Sequence, residues 1–262
     1  MTSSHSEAKG GRAVLAGCAL VPLLALTGCG GNGGSDHADA PGADFRTASL
    51  ARDARLVITT QGGVRVVGTD GDRVTVDDSV LAHGDDGDGD TYTLDLPCDE
   101  GDERARPNCG GMPLVRVPAG VTLTVRARNA GIDVSDVRGG LSLSTVNGDV
   151  TVQDAGTDDA RQHLVTRNGS VRATGLKGAG IKAETVNGDV DLGCATSPGT
   201  LDGVTRNGSV RVTLPAGAPA YATEARTVNG HSTTDVPAAE SSDHTHRLTL
   251  RTVNGDTEVR RG

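Results

Sequence analysis

The chain has 262 residues and a formal net charge of −9, with one Phe, two Tyr and no Trp. A core of ordinary thickness relies on large aromatic side chains, so this composition favours a thin core of small aliphatic residues and Thr. The acidic balance argues against nucleic-acid binding, and the 38 Gly residues suit turns and strands.

Residues 1–28 read as a lipoprotein signal peptide. Lys9 and Arg12 give a positive start, and the apolar stretch 13–28 is too short and too rich in small residues to be a good membrane span. The stretch leads into Leu26-Thr27-Gly28-Cys29, which resembles the lipobox of bacterial lipoproteins. That resemblance implies cleavage before Cys29 and attachment of lipid to it.

Residues 29–47 are predicted to be the lipidated cysteine and a Gly-rich, disordered tether. Two or more acyl chains on one cysteine hold a protein stably at a bilayer, whereas a single chain does so only marginally. We therefore expect a lipid-anchored, extracytoplasmic protein on the outer face of the cytoplasmic membrane.

Residues 48–120 are predicted to be an N-terminal β capping region. Within it, residues 55–76 read as strand, Gly-rich turn and strand, and they look like degenerate starting units that cap an array. Cys98 and Cys109 enclose an acidic loop and are expected to form a disulfide outside the cytoplasm. Cys194 has no predicted disulfide partner and is expected to be a small, buried hydrophobic residue.

Residues 121–262 contain seven copies of one short pattern, most of them centred on Asn-Gly. Successive asparagines are 18, 21, 19, 20, 22 and 25 residues apart. Apolar residues recur six and four positions before most of the asparagines and three and five positions after them, which predicts two short strands per copy. The seven predicted turn asparagines are Asn129, Asn147, Asn168, Asn187, Asn207, Asn229 and Asn254.

The period of the repeat predicts a stacked array, in which each unit buries its apolar face only against its neighbours. Asn-Gly is also the strongest short signal for a tight hairpin, but a lone two-stranded hairpin is marginal in water. We therefore predict an all-β fold, a right-handed β-solenoid or β-helix-like stack of two-strand coils of about 20 residues each. A β-meander curled into a sandwich is the alternative.

Polar residues within the repeat predict how the coils stack. Thr stands two positions before the asparagine in six copies, and by strand parity both residues should point inward and form ladders. The alternative is that each asparagine serves only its own turn. The residue before the asparagine alternates Arg with Val, which keeps like charges two strands apart and favours one repeat per coil over two. Arg260 and Arg261 are expected to guard an uncapped C-terminal edge.

Few residues suggest chemistry. Asp86, Asp88 and Asp90 have the alternate spacing of a calcium loop. The pattern departs from that loop because Thr91 stands where Gly is needed and no closing Glu follows. A polar hairpin loop explains the three aspartates equally well. His244 and His246 lack a third zinc ligand. No nucleophile elbow or phosphate loop is present in the sequence. We expect no catalytic residue, no enzyme activity and no cofactor.

The repeat of strand, Asn/Ser-Gly-Asp turn and strand, as in Asn147-Gly148-Asp149, follows a lipobox and a Gly-rich tether. Over about residues 50–262 it resembles the bacterial β-strand-repeat "putative adhesin" domains of unknown function. The resemblance implies a non-enzymatic, adhesin-like scaffold that binds a protein or glycan at the cell envelope. Some relatives accompany envelope-stress systems, so a sensor that binds a membrane partner in cis is the alternative. A polysaccharide-active β-helix enzyme is a remote one.

Overall fold

The structure, a computed structural model, describes residues 45–51, 53–77, 80–86, 90–239 and 245–262. All of them belong to one compact unit, residues 38–262. The predicted signal peptide, Cys29, Asp88 and His244 lie outside the described residues. In the part of the chain that is described, no helix has the length and hydrophobicity needed to cross a membrane.

The described chain is almost entirely β-structure. It begins with β1 (Thr47–Ser49), β2 (Arg55–Thr60), β3 (Val64–Thr69), β4 (Arg73–Val76), β5 (His83–Asp86) and β6 (Thr91–Leu96). A single helical turn, α1 (Pro107–Gly110), precedes β7 (Leu114–Pro118). The repeats then supply β8 (Thr122–Arg126), β9 (Ile132–Ser135), β10 (Leu141–Ser144), β11 (Val150–Gln153), β12 (Arg161–Val165), β13 (Val171–Leu176), β14 (Gly180–Glu184), β15 (Val190–Cys194), β16 (Thr200–Val204), β17 (Val210–Leu214), β18 (Ala222–Arg226), β19 (Ser232–Thr234), β20 (Arg247–Arg251) and β21 (Thr257–Arg261).

Each repeat forms one coil, with its first strand in one sheet and its second strand in the other. The first sheet has the order β18-β20-β16-β14-β12-β10-β8-β2-β6-β5, and the second β1-β4-β7-β3-β9-β11-β13-β15-β17-β21-β19. Repeat strands are parallel and in register: Leu141 lies opposite Leu123, and Val150 lies opposite Ile132. The predicted stack of two-strand coils is therefore confirmed, with one repeat per coil. The meander alternative is wrong, because it requires antiparallel neighbours.

A thin aliphatic core fills the space between the two sheets. Leu123, Val150 and Leu192 are completely buried, like most residues at the same repeat positions. Gln162 is the one polar residue at its repeat position that is buried, and the structure shows how this is tolerated. Its Oε1 accepts a hydrogen bond from the Leu141 backbone N–H at 3.0 Å, and its Nε2 donates to the Lys177 carbonyl at 2.9 Å, so both ends of the amide are paired.

The coils at the C-terminal end do not stack in chain order. Strands β20 and β21 of the seventh repeat lie between the fifth repeat and the sixth, so the sixth repeat forms the outermost coil. The expectation that Arg260 and Arg261 guard an open edge is therefore wrong, since β21 is paired on both sides. Apolar content explains the exchange. The seventh repeat supplies fully buried Leu248 and Leu250, whereas β19 of the sixth is exposed throughout.

A similar exchange occurs at the N-terminal end. Strands β6 and β7 lie outside β2 and β3, so β2 and β3 form an interior coil. Of the strands in residues 55–76, the stretch expected to form the cap, only β4 lies at the end of the stack. The end is closed by β4, β1 and β5, which pair antiparallel. Strand β1 begins at Thr47, the last residue of the predicted tether. Phe45 is buried and packs against Tyr92, with ring centroids 5.7 Å apart.

The acidic loop of the N-terminal end is closed by a disulfide between Cys98 and Cys109, whose Cα atoms are 4.7 Å apart. Asn108, on the short helix inside that loop, is buried and donates from Nδ2 to the carbonyls of Leu81 and Pro97 at 2.8 and 2.9 Å. These bonds hold the loop against the end of the stack. Cys194 is buried in the array, and this burial raises the pKa of its thiol to about 12, which agrees with its expected role as a small hydrophobe.

Candidate functional surface

The asparagines of the repeats form one continuous ladder along a corner of the solenoid. Each side-chain Nδ2 donates to Oδ1 of the asparagine on the neighbouring coil, at 2.8 to 2.9 Å in five steps. The sixth step, from Asn147 to Asn129, is 3.5 Å. In spatial order the ladder runs Asn129, Asn147, Asn168, Asn187, Asn207, Asn254, Asn229. The predicted ladder is present, and the asparagines do more than serve their own turns.

The asparagines nevertheless point outward, and the prediction that they lie inside is wrong. Every one of the seven is exposed. Strand parity holds only while the chain is extended, and here the chain leaves one sheet and enters the other at Asn-Gly. Gly148 and Gly188 show this change of direction, with φ of +146° and +153°, values that favour glycine.

The threonines two positions earlier do point inward, as predicted. Thr166 and Thr185 are buried, and their Oγ1 atoms donate to the carbonyls of Gly148 and Gly169 on the preceding coil, at 2.8 and 2.7 Å. The threonines therefore bond to backbone and not to one another. The coils approach so closely here that a Cβ on Gly188 would lie 2.1 Å from the Gly169 carbonyl oxygen.

A second row, of alternating Asp and Ser, also belongs to the scaffold. Asp149 Oδ1 accepts the backbone N–H of Ser170 at 2.8 Å, and Asp189 Oδ1 accepts that of Ser209 at 2.7 Å. Arg172 pairs with Asp149. Burial raises the pKa of Asp149, but the Ser170 N–H and Arg172 outweigh it, and the net pKa is lowered. This acidic row is therefore occupied by the protein's own donors.

The third row, immediately before the asparagines, is not occupied in this way. In spatial order it reads Arg128, Val146, Arg167, Val186, Arg206, Val253, Val228. The three arginines are exposed, and each of them lies two coils, or about 9.6 Å, from the next. Among the described residues no carboxylate lies within ion-pair distance of any of the three. We call this the arginine row.

The arginine row begins in a groove with a volume of about 680 Å³. Arg128 and Arg167 of the row line it together with Arg126, which lies at the end of β8. Pro97 and Cys98, from the loop closed by the disulfide, form part of the wall. The disulfide therefore fixes one side of a groove that three arginines face.

Asp95 contributes the one carboxylate among the described lining residues of this groove. Burial raises its pKa, against smaller opposing effects of His83 and the Leu96 backbone N–H. The three arginines Arg126, Arg128 and Arg167 therefore outnumber the one carboxylate in the described lining. The result is a basic groove on a chain that is acidic as a whole, and a local reversal of charge is a feature of binding surfaces.

The other clefts have mixed charge. One of about 840 Å³ is lined by Arg55 and Arg161 but also by Asp53 and Asp159. Another, of about 530 Å³, lies beside Tyr221 at the outermost coil and contains Glu224, which is paired with Arg251 at 2.9 Å. In both clefts, carboxylates and arginines therefore line the same surface.

The predicted metal ligands are only partly described. Asp86 lies in β5 but its side chain is not described, Asp88 is outside the described residues, and Asp90 is exposed in a turn. The calcium prediction is therefore untested. His246 packs edge-on against Tyr221, with ring centroids 5.2 Å apart. In the described ranges no three His, Cys, Asp or Glu side chains are grouped as a metal site requires.

One family model and one solved structure are similar to this chain. A model of the Toastrack DUF4097 family matches residues 115–260, more than half of the chain. A crystal structure described as a "putative cell adhesion protein" from Clostridium sporogenes ATCC 15579 shares 8% sequence identity, with a TM-score of 0.38, and the match covers 83% of this chain and 98% of that one. At this level of similarity the neighbour's role does not carry over. No curated protein matches the sequence.

Proposed function

We propose that this chain, which belongs to the Toastrack DUF4097 family, is a non-enzymatic surface protein that binds an anionic glycan at the cell envelope. The observation that carries the proposal is the arginine row, with three exposed guanidinium groups that have no carboxylate partner among the described residues. In the same structure Arg172 and Arg211 do pair with Asp149 and Asp189. The arginines of the row are therefore available for a ligand.

The scaffold does not need these arginines. Stacking is provided by the asparagine ladder, by the threonine hydroxyls and by the row of Asp and Ser. Holding unpaired cations on one edge brings no stability to the fold. A guanidinium group binds carboxylate, sulfate or phosphate oxygens through two parallel hydrogen bonds, and this is the chemistry that the row offers.

The spacing of the row favours a linear ligand. Arg128, Arg167 and Arg206 recur every two coils, about 9.6 Å apart, and exposed Val146 and Val186 lie between them. A polymer with one acidic group in each repeating unit of similar length, such as a polysaccharide with one acidic sugar per disaccharide, could bind all three at once. The valines would contact the apolar faces of the intervening sugars.

The proposal also places the protein at the outer face of the cytoplasmic membrane, held by lipid on Cys29. The support is the sequence Leu26-Thr27-Gly28-Cys29 and the Gly-rich stretch that follows. In that arrangement the stack would present the arginine row to wall polymers or to another cell.

Binding of residues 30–262 to immobilised anionic polysaccharides tests the proposal. Replacing Arg128, Arg167 and Arg206 by Gln should weaken binding by about ten-fold or more. The matched control replaces Arg55, Arg161 and Arg247, which are also exposed and lack ion-pair partners among the described residues, so the net charge changes equally. The control should bind nearly as the parent does.

Two outcomes would contradict the proposal. Equal losses in the two variants would mean that binding reflects net charge and not the row. Failure of the parent to bind any uronate-, sulfate- or phosphate-bearing polysaccharide would exclude an anionic glycan. In that case, capture of one membrane protein by crosslinking on intact cells would favour the sensor alternative.

A further inference from the structure

Six of the seven repeats contain Asn-Gly, the dipeptide in which asparagine deamidates most readily because glycine has no side chain to hinder attack. In this reaction the glycine backbone nitrogen bonds to the asparagine Cγ, the Cγ–Nδ2 bond breaks and ammonia leaves. Water then opens the resulting succinimide to aspartate or isoaspartate, so no other reactant is needed. The six pairs begin at Asn147, Asn168, Asn187, Asn207, Asn229 and Asn254.

Stacking holds the attacking nitrogen in five of these pairs. The backbone N–H of each glycine donates to the backbone carbonyl of the asparagine on the next coil, as Gly148 does to Asn168 at 2.9 Å and Gly188 to Asn207 at 2.9 Å. Gly169, Gly208 and Gly255 make the same bond at 3.0, 2.8 and 3.0 Å. A nitrogen held in this way keeps its proton and is directed away from its own side chain.

The asparagine side chains of these five pairs are held as well. Asn187, for example, donates from Nδ2 to Asn168 and accepts at Oδ1 from Asn207, at 2.9 and 2.8 Å. Its Cγ cannot turn toward the next backbone nitrogen without breaking both bonds. The five glycines are also only half-exposed.

The pair Asn229–Gly230 differs because it lies on the outermost coil. No described residue accepts a hydrogen bond from the Gly230 N–H, and no described residue donates to Asn229 Oδ1. The side chain is held by a single bond, from Nδ2 to Asn254 Oδ1 at 2.8 Å. Gly230 and the following strand β19 are exposed, and edge elements of this kind open most easily.

We propose that Asn229 is the deamidation site of the folded repeat array, and that stacking protects the other five Asn-Gly pairs. The exchange of coils decides which pair reacts. If the coils stacked in chain order, the exposed end coil would be the seventh repeat and the reactive asparagine would be Asn254. The seventh repeat is instead an interior coil, and the Gly255 N–H donates to the Asn229 carbonyl.

Deamidation here changes the open end of the stack. Conversion to aspartate removes the Nδ2 donor to Asn254. It also adds a negative charge beside the edge of β19 that no other described strand pairs with, and charge on an edge strand opposes association with another strand. Isoaspartate would in addition lengthen the backbone at the corner.

Peptide mapping by mass spectrometry after incubation of the intact protein in mildly alkaline buffer tests the proposal. Asn229 should deamidate about ten-fold or more faster than any of the other five sites. The matched control is the same chain unfolded in denaturant, in which all six pairs should react at similar rates. Asn32–Gly33 lies outside the described residues and is left out of the comparison.

Equal rates at the six sites of the folded protein, or faster reaction at Asn254 than at Asn229, would overturn the proposal. A second measurement separates protection by stacking from global unfolding. Conditions that lower stability without unfolding the protein should accelerate the five interior sites while leaving the rate at Asn229 nearly unchanged. Equal acceleration at all six would also contradict it.

Discussion

The Asn254 side chain donates a hydrogen bond to Asn207, a residue 47 positions earlier, at 2.8 Å. In an array stacked in chain order its partner would be Asn229, which instead donates to Asn254 from the opposite side. The seventh repeat is therefore inserted between its two predecessors, and the apparent end of the chain is an interior part of the stack.

Deletion of residues 245–262 tests this insertion. In a sequential array the loss of a terminal repeat removes only one nearest-neighbour interface and costs little. Here the deletion removes an interior coil that contains fully buried Leu248, Leu250 and Val259. We expect a large fall in the thermal midpoint and exposure of apolar surface, measured by circular dichroism and dye binding. A midpoint close to that of the full chain would contradict the insertion.

The ladder should contribute to stability in proportion to the bonds that each asparagine makes. Asn187→Ala removes two side-chain hydrogen bonds and should cost about 1–2 kcal/mol in urea unfolding, because a net hydrogen bond contributes about 1 kcal/mol. Asn229→Ala removes one bond, at the end of the ladder. It is the matched control and should cost about half as much. Equal costs would mean that the ladder adds nothing beyond each local turn.

We predict that the corner positions require glycine, because the neighbouring coil leaves no room for a Cβ atom there. Gly188→Ala places a Cβ 2.1 Å from the Gly169 carbonyl oxygen at a φ of +153°, and we expect it to destabilise the fold by more than about 2 kcal/mol. Gly217 offers a control, since a Cβ there has no neighbour within 4 Å. Gly217→Ala should be neutral or slightly stabilising. If Gly188→Ala left the stability of the fold unchanged, the coils would have to be able to separate at the corner.

The repeat period and its apolar positions are enough to predict the stack. Strand parity predicts the inward threonines, and the alternation of Arg and Val predicts one repeat per coil. The outward asparagines were not predictable, because parity counts side chains along an extended chain and the chain is not extended at Asn-Gly. The exchange of coils was not predictable from the motif either. Its physical cause is visible in Ser232 and Thr234, which stand where the first five repeats carry apolar residues. Their effect on coil order depends on three-dimensional pairing.

The arginine groove illustrates the same limit. The alternation of Arg and Val before the asparagines is visible in the sequence, where it indicates charge spacing within the scaffold. Arg126 occupies a different repeat position from the arginines of the row. Pro97 and Cys98 come from a loop that is distant in the sequence. Only the packing of that loop against the stack brings them to Arg128 and Arg167.

Binding of an anionic ligand in the groove should strengthen as the pH falls. The pKa of Asp95 is raised, chiefly by burial, so its carboxylate is protonated at a higher pH than an ordinary aspartate and ceases to repel the ligand. The effect should be absent well above the raised pKa and should develop as the pH falls through it. Asp95→Asn should bind more tightly at neutral pH and lose much of the pH dependence. An unchanged pH profile in this variant would exclude Asp95 as its source.

Attachment to the membrane is predicted to depend on one cysteine. Cys29→Ala should remove the lipid acceptor, and the protein should move from the membrane fraction to the medium or the soluble fraction, since stable anchoring requires the acyl chains. Cys18 lies in the same apolar stretch but not at the end of the lipobox, so Cys18→Ala is the matched control and should remain membrane-bound. Fractionation and metabolic labelling with a fatty acid measure both variants. A Cys29→Ala protein that stays in the membrane and loses its label would show that something other than lipid holds it there.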